Sequence, residues 1–301
     1  MSGKIKTNNK RKVAMLALSL LRFVILFGLA FIILKPFIYK ILMSFMHPDD
    51  LLDSTVWLVP RLGSTYYWQQ AVEQLRLPDT LINTSLLSLS VGILQVISCL
   101  MIGYGLARFK FKGSKLAFAL VIIIMLVPVQ VISIARYLQF NYFSFFGKVI
   151  SLTDTFWPII ILSSTGLGIK QGLYIYMFRE FFRSLPVVLE EAAYIDGAGP
   201  IKTFISIMLP NAKTVIATVF LFSFCWQWTD TVYSSLYFNE LPVFANVIDT
   251  MYIRVGLNAD MLGTSILRNS AAMLVMIPLL VLFVFCQKLF VRSMAISGLA
   301  N

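Results

Sequence analysis

The sequence predicts an all-α integral membrane protein: six transmembrane helices with one long polar loop, 183–213, between the fourth and the fifth. Three observations predict it. The 301 residues are 58% hydrophobic, with a mean hydropathy of +0.82 and only 13% charged, against about 25% charged in a soluble domain. Apolar runs recur at the length of ~20 residues that a helix needs to cross about 30 Å of hydrocarbon. The 25 lysines and arginines sit in short clusters beside those runs, the habit of membrane proteins.

Residues 1–12 carry Lys4, Lys6, Lys10, Arg11 and Lys12 without an acid, as a basic cytoplasmic tail does. The segment 13–80 holds the first span and an external loop. Apolar character runs on to about Met46 with no small-residue cleavage site, which reads as a retained span rather than a signal peptide. Arg22 and Lys40 are placed to snorkel from its ends, and Lys35-Pro36 marks a kink. The loop 47–80 mixes Asp49, Asp50, Asp53, Glu73 and Asp79 with Arg61 and Arg76. Its Trp57, Tyr66, Tyr67 and Trp68 suit the headgroup level.

A transmembrane core covers 81–292. Its spans are read at 81–107, 116–137 (kinked at Pro128), 156–180, 214–237 and 270–290, with a loop at 238–268. Residues 293–301 form a second tail. With residues 1–12 inside, 15 cations fall on cytoplasmic segments, namely the tail, 108–115, 179–213, and Lys288 with Arg292. Six fall outside: Arg61, Arg76, Arg136, Lys148, Arg254 and Arg268. That bias places both termini and the loop 183–213 in the cytoplasm.

Several functions are disfavoured. Clustering of the cations beside apolar runs argues for lipid rather than nucleic acid behind the net charge of +11. Cys99, Cys225 and Cys286 are odd in number, lie in apolar runs and have no metal-site spacing. The single histidine, His47, has no nucleophile or metal set around it. No Gly-x-x-x-x-Gly-Lys-Ser/Thr loop is present, so this chain carries no P-loop of its own.

The loop 183–213 is helical in pattern. Pro186 can open a helix, Glu190, Glu191, Ala192 and Ala193 continue it, and Gly197 with Gly199-Pro200 break it. A second short helix from Ile201 to Met208 would put Ile201, Phe204, Ile205 and Met208 on one face, with Pro210 ending it. Glu190-Glu191 near a helix start suit its dipole.

Glu191-Ala192-Ala193, then Gly197, then Ile207-x-Leu209-Pro210 resembles, at full spacing, the EAA signature of permease subunits of ATP-binding-cassette (ABC) importers. Asp196-Gly197-Ala198 fits the form found in sugar-importer permeases. Leu81–Leu86, the basic turn Ala107–Gly113, Met125–Pro128 with Gln130 and Tyr137, Phe181-Phe182-x-x-Leu185-Pro186, and Trp228-Thr229-Asp230 are similar to further landmarks of the maltose-permease-like, carbohydrate-uptake group. Thr214 and Arg136 stand where proline is common, and the tail keeps Gly298 without a terminal lysine.

The resemblance implies a permease subunit in the cell membrane with no catalytic residues and no cofactor of its own; ATP and Mg would sit on a partner. It implies three kinds of partner besides the bilayer: a second homologous permease, two ATPase subunits and an extracellular or periplasmic substrate-binding protein. The loop 183–213 becomes the coupling helix, with Glu190, Glu191, Ala192, Ala193, Asp196, Gly197, Leu209 and Pro210 as its coupling set, and Glu191 as the salt-bridge residue.

Two groups inside the spans suit a substrate path. Lys170-Gln171 lies about 20 Å along the fourth span from Trp157, deep in the bilayer. Substrate contact, pairing with another helix or subunit, and a broken span at Gly166, Gly168 and Gly172 all account for it. On the fifth span Trp226, Trp228, Asp230 and Tyr233 combine aromatic faces with a carboxylate, the chemistry of sugar recognition; a headgroup belt plus helix packing is the alternative. Two other functions compete: an ABC permease for a non-sugar solute, and an ion-coupled secondary transporter. The latter would want membrane acids at matching positions in two halves, and Asp230 is the one acid near a span interior.

Overall fold

The computed structural model describes residues 3–56, 59–256 and 261–298; Trp57 and the extreme ends of both tails lie outside them. The chain is helical because a backbone in lipid must satisfy its own N–H and C=O groups. In order come α1 (Gly3–Met43), α2 (Pro48–Leu52), α3 (Tyr66–Gln74), α4 (Leu77–Arg108), α5 (Ser114–Leu126) and α6 (Val129–Asn141). A short antiparallel hairpin follows, β1 (Phe143–Phe145) with β2 (Lys148–Ile150), in the register Ser144 opposite Val149. Then come α7 (Trp157–Ser164), α8 (Gln171–Ser184), α9 (Val188–Ile195) and α10 (Pro200–Thr203), a π-helical turn (Phe204–Met208) and α11 (Leu209–Asn211). The chain finishes with α12 (Lys213–Trp228), α13 (Val232–Tyr237), α14 (Phe244–Gly256) and α15 (Met261–Gly298).

Three stretches among the described residues are long and apolar enough to cross a membrane by themselves: Ala14–Met43, Leu77–Arg108 and Gly263–Gln287. Two bent pairs raise the number to at most five. Length and composition alone therefore stop short of the six regular spans expected, three of which are interrupted. The third, read as one kinked helix, turns by 100° between α5 and α6. Val127 there is extended (ψ 119), as the residue before a proline prefers. The fourth is two helices, α7 and α8, about 12 Å and 21 Å long, with residues 165–170 between them. The fifth breaks after Trp228 and resumes at Val232. The loop expected at 238–268 holds α14 and the start of α15, and Pro36, where a kink is expected, lies inside α1.

The chain forms two compact units, Met1–Val72 with Val255–Leu274, and Glu73–Arg254 with Val275–Asn301. In the first, the loop after α1 is tied to its end. The Ser64 N–H donates to the Phe45 carbonyl at 2.8 Å, the Leu62 N–H to the buried Asp50 carboxylate at 2.9 Å, and Phe45 stacks on Trp68. Ser270 of α15 donates to the Ser44 carbonyl at 3.1 Å.

The second unit is built on α4, which packs against α8 and α12. Gly103 makes this possible: a Cβ there would lie 2.6 Å from the Phe178 Cβ and 3.0 Å from the Arg179 nitrogen. At one end of α4 a core of Tyr104, Phe178, Phe182, Met208 and Ala212 joins α4 and α8 to the segment 200–212. At the other, Leu87 and Val91 pack with Phe140, Ile159, Tyr237 and Phe238. A polar seam runs between the helices. The Ser223 hydroxyl donates to Gln95 at 2.5 Å and the Ser98 hydroxyl to the Ser163 carbonyl at 2.8 Å.

Candidate functional site

The segment 183–213 is two helical pieces joined at a glycine, as its sequence predicts. Val188–Ile195 is a helix that ends where Gly197 takes φ +79, with the Ala198 N–H donating back to the Ala193 carbonyl at 2.9 Å. That left-handed closure is the one glycine adopts without penalty. The two acids of α9 part company. Glu190 is buried (6% exposed): its Oε1 accepts from the Tyr104 hydroxyl at 3.0 Å, and its Oε2 lies 3.4 Å from Arg108 Nε. Arg108 also donates to the Leu185 carbonyl at 2.8 Å. Glu191, Ala192, Asp196 and Gly197 face outward, while Ala193 is buried.

The second piece departs from expectation. The helix ends one residue past the expected stop at Pro210: it runs from Pro200 to Asn211 and breaks at Ala212, where the chain turns by 74° into α12. Pro210 has no N–H to return to the preceding turn, and its ring would press on the carbonyl four residues back. The ladder accommodates it by widening, with the Leu209 N–H donating to the Phe204 carbonyl, five residues away. The extra residue rotates the buried face. Thr203 and Met208 are buried and Phe204 and Ile207 half-buried, whereas Ile201 and Ile205 are 76% and 54% exposed. Exposed apolar side chains also cover α9, with Val188 at 66% and Ile195 at 86%.

The three interruptions of the membrane helices converge. The α5–α6 elbow, residues 167–173 and residues 226–233 enclose one cavity of about 810 Å³. Irregular backbone at membrane depth is tolerated where it is buried in protein or lines a wet cavity, and here all three breaks line the same one. Lys170, Trp226, Asp230 and Tyr233 of the expected substrate set meet in its wall. Lys170 has a left-handed backbone (φ 57) at the start of α8, so of its three sequence readings the broken span is the local structure. Its ammonium sits 4.8 Å above the centre of the Trp226 ring.

Two members of the set are turned elsewhere. Trp228 is buried outside the cavity wall, stacked on Phe224, and its indole N–H donates to the Val275 carbonyl at 3.2 Å. Gln171 touches the cavity, but its side chain is fully buried and holds the 165–170 turn closed. Its Nε2 donates to Ser98 Oγ at 2.8 Å and to the Ser163 carbonyl at 2.7 Å, and its Oε1 accepts from the Gly168 N–H. Asp230 also has local work: Oδ1 accepts from the N–H groups of Val232 and Tyr233, and Oδ2 from the N–H and hydroxyl of Ser234. It caps α13.

The structure adds residues that sequence reasoning gave no site role. Arg136 lines the cavity, lies 5.4 Å over the Tyr233 ring and donates to its hydroxyl. Its one signal was a cation at a position where the resembled permeases carry proline. Tyr104 and Arg108, which hold Glu190, stand 86 and 82 residues before it, and no local spacing announces such a pair. Among the described residues no group of three or more His, Cys, Asp or Glu could hold a metal.

The site thus combines broken membrane helices lining one cavity with a short amphipathic helical loop packed on α4 and α8. Residues 99–296 match the family model described as "Binding-protein-dependent transport system inner membrane component". The chain belongs to that family, and it is an integral inner-membrane protein. It is 29% identical over 245 residues to the melibiose/raffinose/stachyose import permease protein MelC of Bacillus subtilis (strain 168), covering 80% of this chain and 83% of that protein. It is 29% identical over 220 residues to the maltodextrin transport system permease protein MdxG of the same organism, covering 72% and 73%. A chain in the crystal structure of a bacterial ABC transporter involved in the import of the acidic polysaccharide alginate shares its fold. The TM-score is 0.66 at 18% identity, covering 90% of this chain and 96% of that one.

Proposed function

We propose that this protein is the transmembrane permease subunit of an ATP-driven sugar importer in the cell membrane, with both termini cytoplasmic. Its six crossings would be α1, α4, the α5–α6 elbow, α7 with α8, α12 with α13, and α15. It works with a second homologous permease, two ATPase subunits that hold ATP and Mg, and a substrate-binding protein on the outer side. The sugar assignment rests on what the related permeases are named for.

The observation that carries the coupling reading is the split of Glu190 from Glu191. One acid is locked to α4 through Arg108 and Tyr104, and the other is presented outward with Ala192 and Ile195. Glu191 meets a basic residue in a cleft of the ATPase, and the small Ala192 allows close approach. ATP binding closes the ATPase pair and carries the coupling helix with it. Because α9 is tied to α4, that movement reaches the helix against which α8 and α12 pack. The cavity then alternates between the two sides, and hydrolysis resets the cycle.

Purified complexes carrying Glu191→Lys or Gly197→Asp should insert and assemble but lose transport and the stimulation of ATPase activity by loaded binding protein. Wild-type transport in either would sink this reading. An ion-coupled carrier is separated by a second measurement: uptake here requires the ATPase and survives collapse of the ion gradients.

A further inference from the structure

Three charged side chains line the cavity, Lys170, Arg136 and Asp230, two cations to one acid. The Asp230 oxygens each accept two hydrogen bonds, Oδ1 at 3.2 and 3.2 Å and Oδ2 at 2.8 and 3.1 Å, which fills the acceptor sites of a carboxylate. Neither Lys170 nor Arg136 forms an ion pair with any acid among the described residues. Each lies instead over a neutral aromatic ring, Lys170 over Trp226 and Arg136 over Tyr233. A charge at membrane depth is costly and ordinarily finds a partner or a path. The backbone at Lys170 is left-handed (φ 57), a conformation that glycine or asparagine would hold more easily.

We propose that the cavity takes a saccharide bearing an oxyanion, either the carboxylate of a uronic acid residue or a sulfate or phosphate ester. Lys170 and Arg136 bind the anion through charge-assisted hydrogen bonds. Trp226, 47% exposed, stacks on the sugar ring beside it. The proposal rests on the sugar-importer reading and narrows its substrate class.

Trp226 is a built-in reporter. Its fluorescence is followed in the complex of this chain with its partner subunits, in nanodiscs, with the Trp226→Phe complex as the blank. The probes are digalacturonate, galactobiose, and the sulfate and phosphate esters of galactobiose. At least one anionic probe should bind about tenfold or more tighter than galactobiose, the worth of one hydrogen bond to a charged group. That preference should shrink as ionic strength rises. Lys170→Gln should reduce that preference to roughly threefold or less, and Lys170→Arg should retain it. The anion preferred distinguishes a carboxylate from an ester.

Equal binding of galactobiose and the anionic probes would overturn the proposal, as would no binding of the anionic probes at millimolar concentration. A Lys170→Gln change that weakened all probes alike would reduce the lysine to packing on Trp226. A signal that followed the phosphatidylglycerol content of the nanodisc instead of the saccharides would assign the cations to lipid headgroups. ATP-dependent uptake of neutral sugars with no anionic preference would overturn this inference and leave the importer standing; the absence of ATP-dependent uptake of any saccharide would overturn both.

Discussion

Replacing Glu190 with alanine tests how the amphipathic loop is held to the rest of the molecule. The side chains of Arg108 and Glu190 are 9% and 8% exposed and 3.4 Å apart. Removing the carboxylate leaves a buried guanidinium without a counter-charge and the Tyr104 hydroxyl without its acceptor. Breaking one side of a buried ion pair costs about 3–5 kcal/mol. Arg108 keeps its hydrogen bond to the Leu185 carbonyl, so the lower end, about 3 kcal/mol, is expected. At roughly 2–4 °C per kcal/mol for chains of a few hundred residues, the thermal midpoint of the purified complex should fall by about 6–12 °C. Size-exclusion monitored after heating reads this directly. Replacing both partners, Arg108→Met with Glu190→Met, removes the charges together and should recover most of the loss. A Glu190→Ala midpoint within about 2 °C of wild type, or a double variant no more stable than the single, would refute the buried-pair argument.

Two further outcomes follow from the packing and the loops. Gly103→Ala drives a methyl group to 2.6 Å from the Phe178 Cβ and against helix backbone. It should destabilise by at least about 1–3 kcal/mol, with the same heating assay as the check and no effect as the contrary result. Asp154 accepts from the N–H groups of Asn239 at 2.5 Å and Glu240 at 2.8 Å. Partial burial raises its pKa, but these backbone donors outweigh it and hold the carboxyl below its ordinary value. A depressed pKa contributes stability that is present above the unfolded value of about 3.9 and is lost as pH falls through the folded one. Asp154→Ala should therefore lower the thermal midpoint at pH 7, and the gap from wild type should narrow as the medium is acidified below pH 4; a pH-independent gap would contradict it.

Much of the helical content was legible because lipid imposes a simple rule on sequence: long apolar runs with internally satisfied backbones. Leu77–Arg108 lies close to its expected limits at 81–107, whereas Gly263–Gln287 begins about two helical turns before the expected 270–290. Helix breaks were harder to read. Pro128 announced a bend but not its 100°, and Pro210 announced the end of its helix but not the π turn that precedes it. A proline states which hydrogen bond is missing; the neighbours decide whether the helix stops, bends or widens.

The site divides in the same way. Residue type by itself indicated Lys170, Trp226, Asp230 and Tyr233, because charge and aromatic faces inside apolar spans are costly to keep without a use. Their meeting in one cavity depends on three helix breaks far apart in sequence, and so does the entry of Arg136. Trp228 and Gln171 carry the same chemistry in sequence yet spend it on Val275, Ser98 and Ser163. From sequence alone came the membrane class, the position of the amphipathic loop and its glycine turn, since hydropathy, charge bias and backbone preference are local properties. Which acid of Glu190-Glu191 is buried, and which cations share a cavity with Asp230, only the tertiary structure decided. Partners 82 or more residues apart leave no periodic trace, and hydrogen-bond capacity is allotted by what the folded chain brings within reach.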